Sequence, residues 1–113
     1  LMTKDGLYYK NFYKFYIDVP FSGKVTGKEQ GSIKNGKKDG LWVYYHDNGQ
    51  LWKSGTFTDG KEDGPWVHYE EDGQLLMKGT YKDGKEDGPW VSYYKNAQLQ
   101  FKGTYKDGKK ISD

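Results

Sequence analysis

Two histidines, His46 and His68, are the side chains best suited to proton transfer or metal binding near neutral pH. No third ligand recurs at a fixed spacing from either, so neither is assigned a catalytic or metal role. Two acidic stretches, Asp59-Gly60-Lys61-Glu62-Asp63-Gly64 and Asp83-Gly84-Lys85-Glu86-Asp87-Gly88, gather carboxylates. They lack the alternating oxygen spacing of a calcium loop, and a lysine sits inside each. Turn formation accounts for their Asp-Gly pairs. Cysteine is absent, which excludes disulfides, thiolate metal sites and thiol nucleophiles. The glycines do not precede helical patterns, so phosphate-cradling loops are not expected. All eighteen basic residues are lysine. Without the planar fork of arginine, specific nucleic-acid recognition is not expected, and a net charge of +2 implies no polyanionic partner. No catalytic residue, cofactor or metal ligand is assigned, and the chain is read as a non-enzyme.

With chemistry so sparse, the elements carry the argument. Hydrophobic residues make up 34% of the 113, below the share usual for a compact globule, yet aromatics reach 18%. Disordered chains are poor in aromatics, so disorder is not expected. Sixteen glycines and three prolines imply many turns, and Tyr, Trp, Val and Thr favour strands. No apolar run approaches the length of a membrane-spanning helix.

The sequence repeats every 24 residues. The units are 31–54, 55–78 and 79–102, followed by a partial unit 103–110. The second and third agree at 15 of 24 positions and the first and second at 11. Residues 1–30 are assigned to an N-terminal cap with a degenerate first unit, and 111–113 to a tail. Each unit reads as a short strand (55–58), a Gly-flanked loop (59–64), a second strand (66–69), and a tight turn (71–74) into 75–78. Asn48-Gly49 and Asp72-Gly73 are hairpin signals, whereas Asn96-Ala97 breaks the pattern and predicts the loosest hairpin. Pro65 and Pro89 fall at strand starts, where a missing N–H is tolerated. One hairpin cannot bury its apolar face alone, but stacked hairpins can. The expected fold is all-β: an elongated, single-layer antiparallel β-meander of about eight to ten strands.

Alternation along strands sorts the positions. Val43, Val67 and Val91 recur, as do Tyr45, Tyr69 and Tyr93, and Leu51, Leu75 and Leu99. Gly55, Gly79 and Gly103 share parity with Phe57, Tyr81 and Tyr105. These are read together as one structural face, each glycine receiving a Tyr or Phe ring from a neighbouring strand. Trp42, Trp66 and Trp90 form a ladder read as structural. The other parity varies: Tyr44, His68 and Ser92 in one column, His46, Glu70 and Tyr94 in a second, Trp52, Leu76 and Gln100 in a third. Tyr44, His46, Trp52, His68, Glu70 and Tyr94 are therefore the candidate partner-binding residues.

The pattern Asp-Gly-Lys-x-Asp-Gly-x-Trp, then Tyr, then Asp/Asn-Gly-Gln-Leu, then Lys-x-Gly-Thr-Tyr/Phe-x-Asp-Gly resembles MORN repeats, over about residues 31–110. More narrowly it resembles their bacterial variant, whose members are often labelled antitoxins of toxin–antitoxin systems. The resemblance implies a scaffold for protein assembly, dimerisation or membrane association, and it supplies no catalytic residues. Residues 19–27 resemble the opening of such an array. Asp5-Gly6-Leu7-Tyr8-Tyr9 echoes Asp39-Gly40-Leu41-Trp42-Val43, and the aromatic run Phe12, Tyr13, Phe15 and Tyr16 reads as part of the cap or as an aromatic contact site.

The unit charges are +2, −4 and +1 in order. An acidic middle disfavours lying flat on an anionic membrane and suits a protein partner, for which it can set register. The expected function is a non-catalytic scaffold binding a protein, antitoxin- or immunity-like. The alternative is a module for carbohydrate, the cell envelope or a membrane surface. Oligomeric state is open, with an edge-to-edge dimer compatible with an uncovered last strand. Leu1-Met2 reads as a trimmed or engineered start, so a removed signal leaves both bacterial cytoplasm and envelope open.

Overall fold

The computed structural model describes the backbone of residues 2–4, 7–12, 15–20 and 22–112, and the side chains of 22–111. Among these residues every regular element is a strand. β1 (Met2–Lys4), β2 (Leu7–Phe12) and β3 (Phe15–Pro20) form a three-stranded antiparallel sheet. β4 (Gly23–Val25), β5 (Glu29–Lys34), β6 (Lys37–Tyr45), β7 (Leu51–Thr58), β8 (Lys61–Tyr69), β9 (Leu75–Lys82), β10 (Lys85–Tyr93), β11 (Leu99–Lys106) and β12 (Lys109–Ser112) form a nine-stranded sheet. Each strand of the larger sheet pairs antiparallel with its neighbours in sequence, so the sheet is an open meander, as the repeat predicts. The side chains of Phe12, Tyr13, Phe15 and Tyr16 lie outside the described residues.

The hairpins alternate between two kinds, and the loop expected over 59–64 is not one of them. Asp59 (φ 53°) and Gly60 (φ 81°) are both left-handed and form a two-residue turn, so β8 starts at Lys61. Asn35-Gly36, Asp83-Gly84 and Asp107-Gly108 repeat this, with positive φ at both residues, as the twist of a two-residue hairpin demands. Gly64 (φ 97°) instead lies inside β8. Gly55 pairs with Trp66 and Phe57 with Glu62, so residues 63–65 stand opposite Thr56 alone. The strand bulges there. At the other sheet margin the turns are longer. His46 C=O accepts from Gly49 N–H at 2.9 Å, His46 N–H donates to Gln50 C=O at 2.8 Å, and Asn48 Oδ1 accepts from Gln50 N–H. Asp72 and Asn96 make the same side-chain bond to Gln74 and Gln98.

Register corrects the assignment of faces. Directly paired residues project to the same side. Trp42 pairs with Gly55, Tyr44 with Lys53, and Gly40 with Phe57. The Gly–Phe/Tyr column therefore shares a face with the Trp ladder and with Tyr44, His68 and Ser92. Val43 pairs with Ser54, and Tyr45 with Leu51, on the opposite side. The recurrent residues expected on one structural face are thus divided between two. The glycine floors are filled by tryptophan, not by Tyr or Phe: Trp42 lies on Gly31, Trp66 on Gly55 and Trp90 on Gly79, so closely that a Cβ at any of the three would collide with the indole. Each indole Nε1–H also donates to a backbone carbonyl of the preceding strand, from Trp42 to Ser32 (3.0 Å), Trp66 to Thr56 (3.1 Å) and Trp90 to Thr80 (3.0 Å).

This aromatic face is the core. The buried hydrophobic residues among those described are Ile33, Trp42, Tyr44, Trp66 and Trp90. Phe57 and Tyr81 stand edge-on to the indoles, with centroids 5.1 Å apart for Phe57–Trp66 and for Tyr81–Trp90. A sheet poor in aliphatic residues thus builds its interior from rings in T-shaped contact.

Candidate functional site

The face opposite the rings carries a concavity. Pairing sets Gln30, Val43, Ser54, Val67, Lys78, Val91 and Lys102 side by side across the strands. A second row runs Leu41, Thr56, Pro65, Thr80, Pro89 and Thr104. Small and β-branched side chains leave a shallow groove. Over β8 to β11 it encloses about 630 Å³ and is lined by Pro65, Thr80, Pro89, Val91 and Thr104, with Lys78 and Lys102 among its polar members. The bulge at 63–65 and its repeat at 87–89 bring the prolines into this lining. An apolar floor with lysine stems suits a partner that offers apolar side chains beside carboxylates.

The sequence-derived candidates lie elsewhere. Tyr44 is buried, 8% exposed, and its hydroxyl accepts a 2.6 Å hydrogen bond from Lys38 Nζ. Burial raises its phenol pKa above the usual value despite the nearby ammonium. Trp52 is 41% exposed, edge-on to Tyr44 at 6.1 Å, with Lys53 Nζ 4.5 Å from its ring centroid. His46 stacks obliquely on Trp52 at 5.8 Å, and its Nε2 lies 2.8 Å from the Tyr69 carbonyl oxygen. Tyr44, His46 and Trp52 thus form one cluster at a corner of the aromatic face. His68 is half-buried beside it, across from Lys53. Burial, aided by that ammonium, holds its pKa below 6.5. Glu70 and Tyr94 stand apart at successive hairpins, where Tyr94 is 52% exposed and its carbonyl accepts from Gln74 Nε2 at 2.7 Å.

Of the repeat residues, Trp42, Trp66 and Trp90 lie on Gly31, Gly55 and Gly79, and Gly103 pairs with Trp90. Tyr45, Tyr69 and Tyr93 pair with Leu51, Leu75 and Leu99 on the grooved face. Sequence reasoning missed the groove residues because Val67 and Val91 were grouped with the scaffold. Their signal was available in the opposite parity of Val and Trp within one strand. Among the described residues, no group of three or more His, Asp or Glu is placed to hold a metal ion, and no helix is long and apolar enough to cross a membrane.

A family model described as a MORN repeat variant matches residues 38–59, 62–83 and 86–107, more than half of the chain. The matched stretches keep the 24-residue spacing and begin at Lys38, Glu62 and Glu86, shortly after each two-residue turn. No curated protein matches the chain.

Proposed function

This chain belongs to the MORN repeat variant family, a class of non-catalytic repeat modules, and on that footing we propose that it is a scaffold that binds a protein partner. The observation that carries this reading is the groove of about 630 Å³ on the valine–proline face. It is apolar at its floor and basic at Lys78 and Lys102, so it favours a partner segment with apolar and acidic side chains. The corner cluster of His46 and Trp52, with Tyr94 and Glu70 at the hairpin margin, is a second contact region for the same partner. Tyr44 and His68 support that corner from beneath.

Affinity capture from extract of the source cells tests this, with the wild type beside K78E/K102E and W52A/Y94A. These residues are not buried, so both variants are expected to fold. A partner held by the wild type and lost with K78E/K102E supports the groove. Loss with W52A/Y94A alone moves the contact to the corner and margin. Failure to retain any protein overturns the reading in favour of glycan or membrane-surface binding. An antitoxin-like role is the more specific form of this proposal, tested by growth on co-expression of the captured partner with and without this chain.

A further inference from the structure

The groove on the valine–proline face has a regular order along its length. Across β8 to β11 one row runs Val67, Lys78, Val91, Lys102. The next runs Pro65, Thr80, Pro89, Thr104. A third row, Tyr69, Leu75, Tyr93 and Leu99, borders the first on its other side. Neighbouring strands lie about 4.8 Å apart, so like side chains recur along each row every two strands, at about 9.6 Å. Adjacent rows are two residues apart along a strand, about 6.8 Å. The groove is therefore narrow, and its lysines, prolines and tyrosines all recur at one interval.

Lys78 and Lys102 are exposed, and neither takes part in an ion pair among the described residues. The carboxylates of the two bulges are engaged elsewhere. Asp63 Oδ2 accepts from Thr58 Oγ1 at 3.2 Å, and Asp87 lies 3.9 Å from Lys106 Nζ. In the first unit the equivalent position is Ser54, so the two ammonium groups are confined to the units where the cavity of about 630 Å³ lies. Their charge calls for carboxylates on an occupant at the same interval of about 9.6 Å.

That interval discriminates among backbone forms. A β-strand repeats the side chains of one edge at about 6.8 Å, and neither one nor two such steps meets both lysines. An α-helix returns to one face after seven residues, about 10.5 Å, and its diameter of about 10–12 Å exceeds the row separation. A polyproline II helix returns after three residues, about 9.3 Å, on a slender chain. Its backbone stays solvated and needs no hydrogen bonds from the groove, and a paired sheet face has no free N–H or C=O to give. Segments of this form dock against aromatic rings, here Tyr69 and Tyr93, half-buried beside Leu75 and Leu99. Resting on the protein-binding reading of the groove, we propose that its occupant is a proline-rich segment in polyproline II form with an acidic residue at every third position.

Titration of the whole chain with a peptide of five Pro-Val-Glu triplets, followed by NMR of the Val67 and Val91 methyl groups and the Tyr69 and Tyr93 rings, tests the proposal. Saturable shifts are expected. Binding is expected to weaken at least about tenfold for a peptide of the same composition with its glutamates in one block, and by a similar factor in K78E/K102E. Pro-Val-Lys triplets are expected to recover binding to K78E/K102E. K61E/K85E reverses the same charge at the two-residue turns and is expected to bind as the wild type does. Equal binding of triplet and block peptides would overturn the spacing, and equal loss in both double variants would reduce the effect to general attraction. An amphipathic helical peptide with glutamates seven residues apart, bound more tightly than the triplets, would overturn the polyproline form. A hyaluronan oligosaccharide bound as tightly would overturn the polypeptide occupant. If no peptide shifts these signals while K78E/K102E still abolishes capture of the partner, this proposal falls and the protein-binding reading stands. If capture is also indifferent to Lys78 and Lys102, the groove reading falls with it.

Discussion

A tryptophan lies flat across a neighbouring strand only where that strand carries no side chain. Trp66 meets this condition at Gly55, and the same fit recurs at Gly31 and Gly79. Gly55→Ala is therefore expected to destabilise by about 2–3 kcal/mol, through displacement of the indole and loss of its bond to the Thr56 carbonyl. Urea denaturation would measure it, and a change below experimental error would show that the ring shifts freely. His68 gives a pH-dependent counterpart. Burial, then the Lys53 charge, place its folded-state pKa below the ordinary 6.5. The unfolded chain therefore binds the proton more readily. The stability associated with neutral His68 is complete above about pH 6.5 and is lost as pH falls through the lowered value. His68→Gln is expected to flatten the dependence of stability on pH between 7.5 and 5. An unchanged slope would assign that dependence to other groups.

At the scale of elements, the third hairpin is built like the other two rather than more loosely. Ala97 adopts φ 70° where Gly49 and Gly73 adopt 86° and 92°, and it donates to Tyr94 C=O at 2.9 Å as they do to their counterparts. The turn keeps its shape and the alanine bears the strain. Ala97→Gly is expected to raise stability by about 0.5–1 kcal/mol, read as a higher denaturation midpoint at unchanged slope. A fall in midpoint would show that the turn gains from the alanine. Asp-Gly and Asn-Gly pairs marked the turns at 48–49, 59–60, 72–73 and 83–84 from sequence, but Asp63-Gly64 falls inside β8, and the pairs did not distinguish the kind of turn. Asn48 spends its side chain on Gln50 N–H, whereas Asn35 and Asp59 take left-handed backbone themselves. The meander and the period were also legible. The shared faces were not, because parity is defined within one strand only. Which parity of β7 meets the indoles of β6 depends on cross-strand register, and register shifts at Tyr44/Tyr45 and Gly55/Phe57 set it. The groove was hidden for that same reason.

Against a mean hydropathy of −1.07, the described residues repeat one small ring contact along the sheet. In the nine-stranded sheet each strand pairs only with its sequence neighbours, so stability is expected to be close to a sum of unit and seam terms. Amide-exchange protection is expected to peak in β7 to β9 and to decline toward β4 and β12. Uniform protection across the sheet would instead indicate all-or-none opening.

Each Trp–Gly contact closes across eleven residues: 31 to 42, 55 to 66 and 79 to 90. Nothing in it refers to how many units precede or follow. A gene that gains or loses one period by unequal recombination, at any phase, still encodes a glycine eleven positions ahead of every tryptophan of the ladder. The contact therefore leaves array length free to drift between generations. Charges such as those at 38, 62, 86 and 110 can diverge from copy to copy, because they take no part in the join that duplication must preserve.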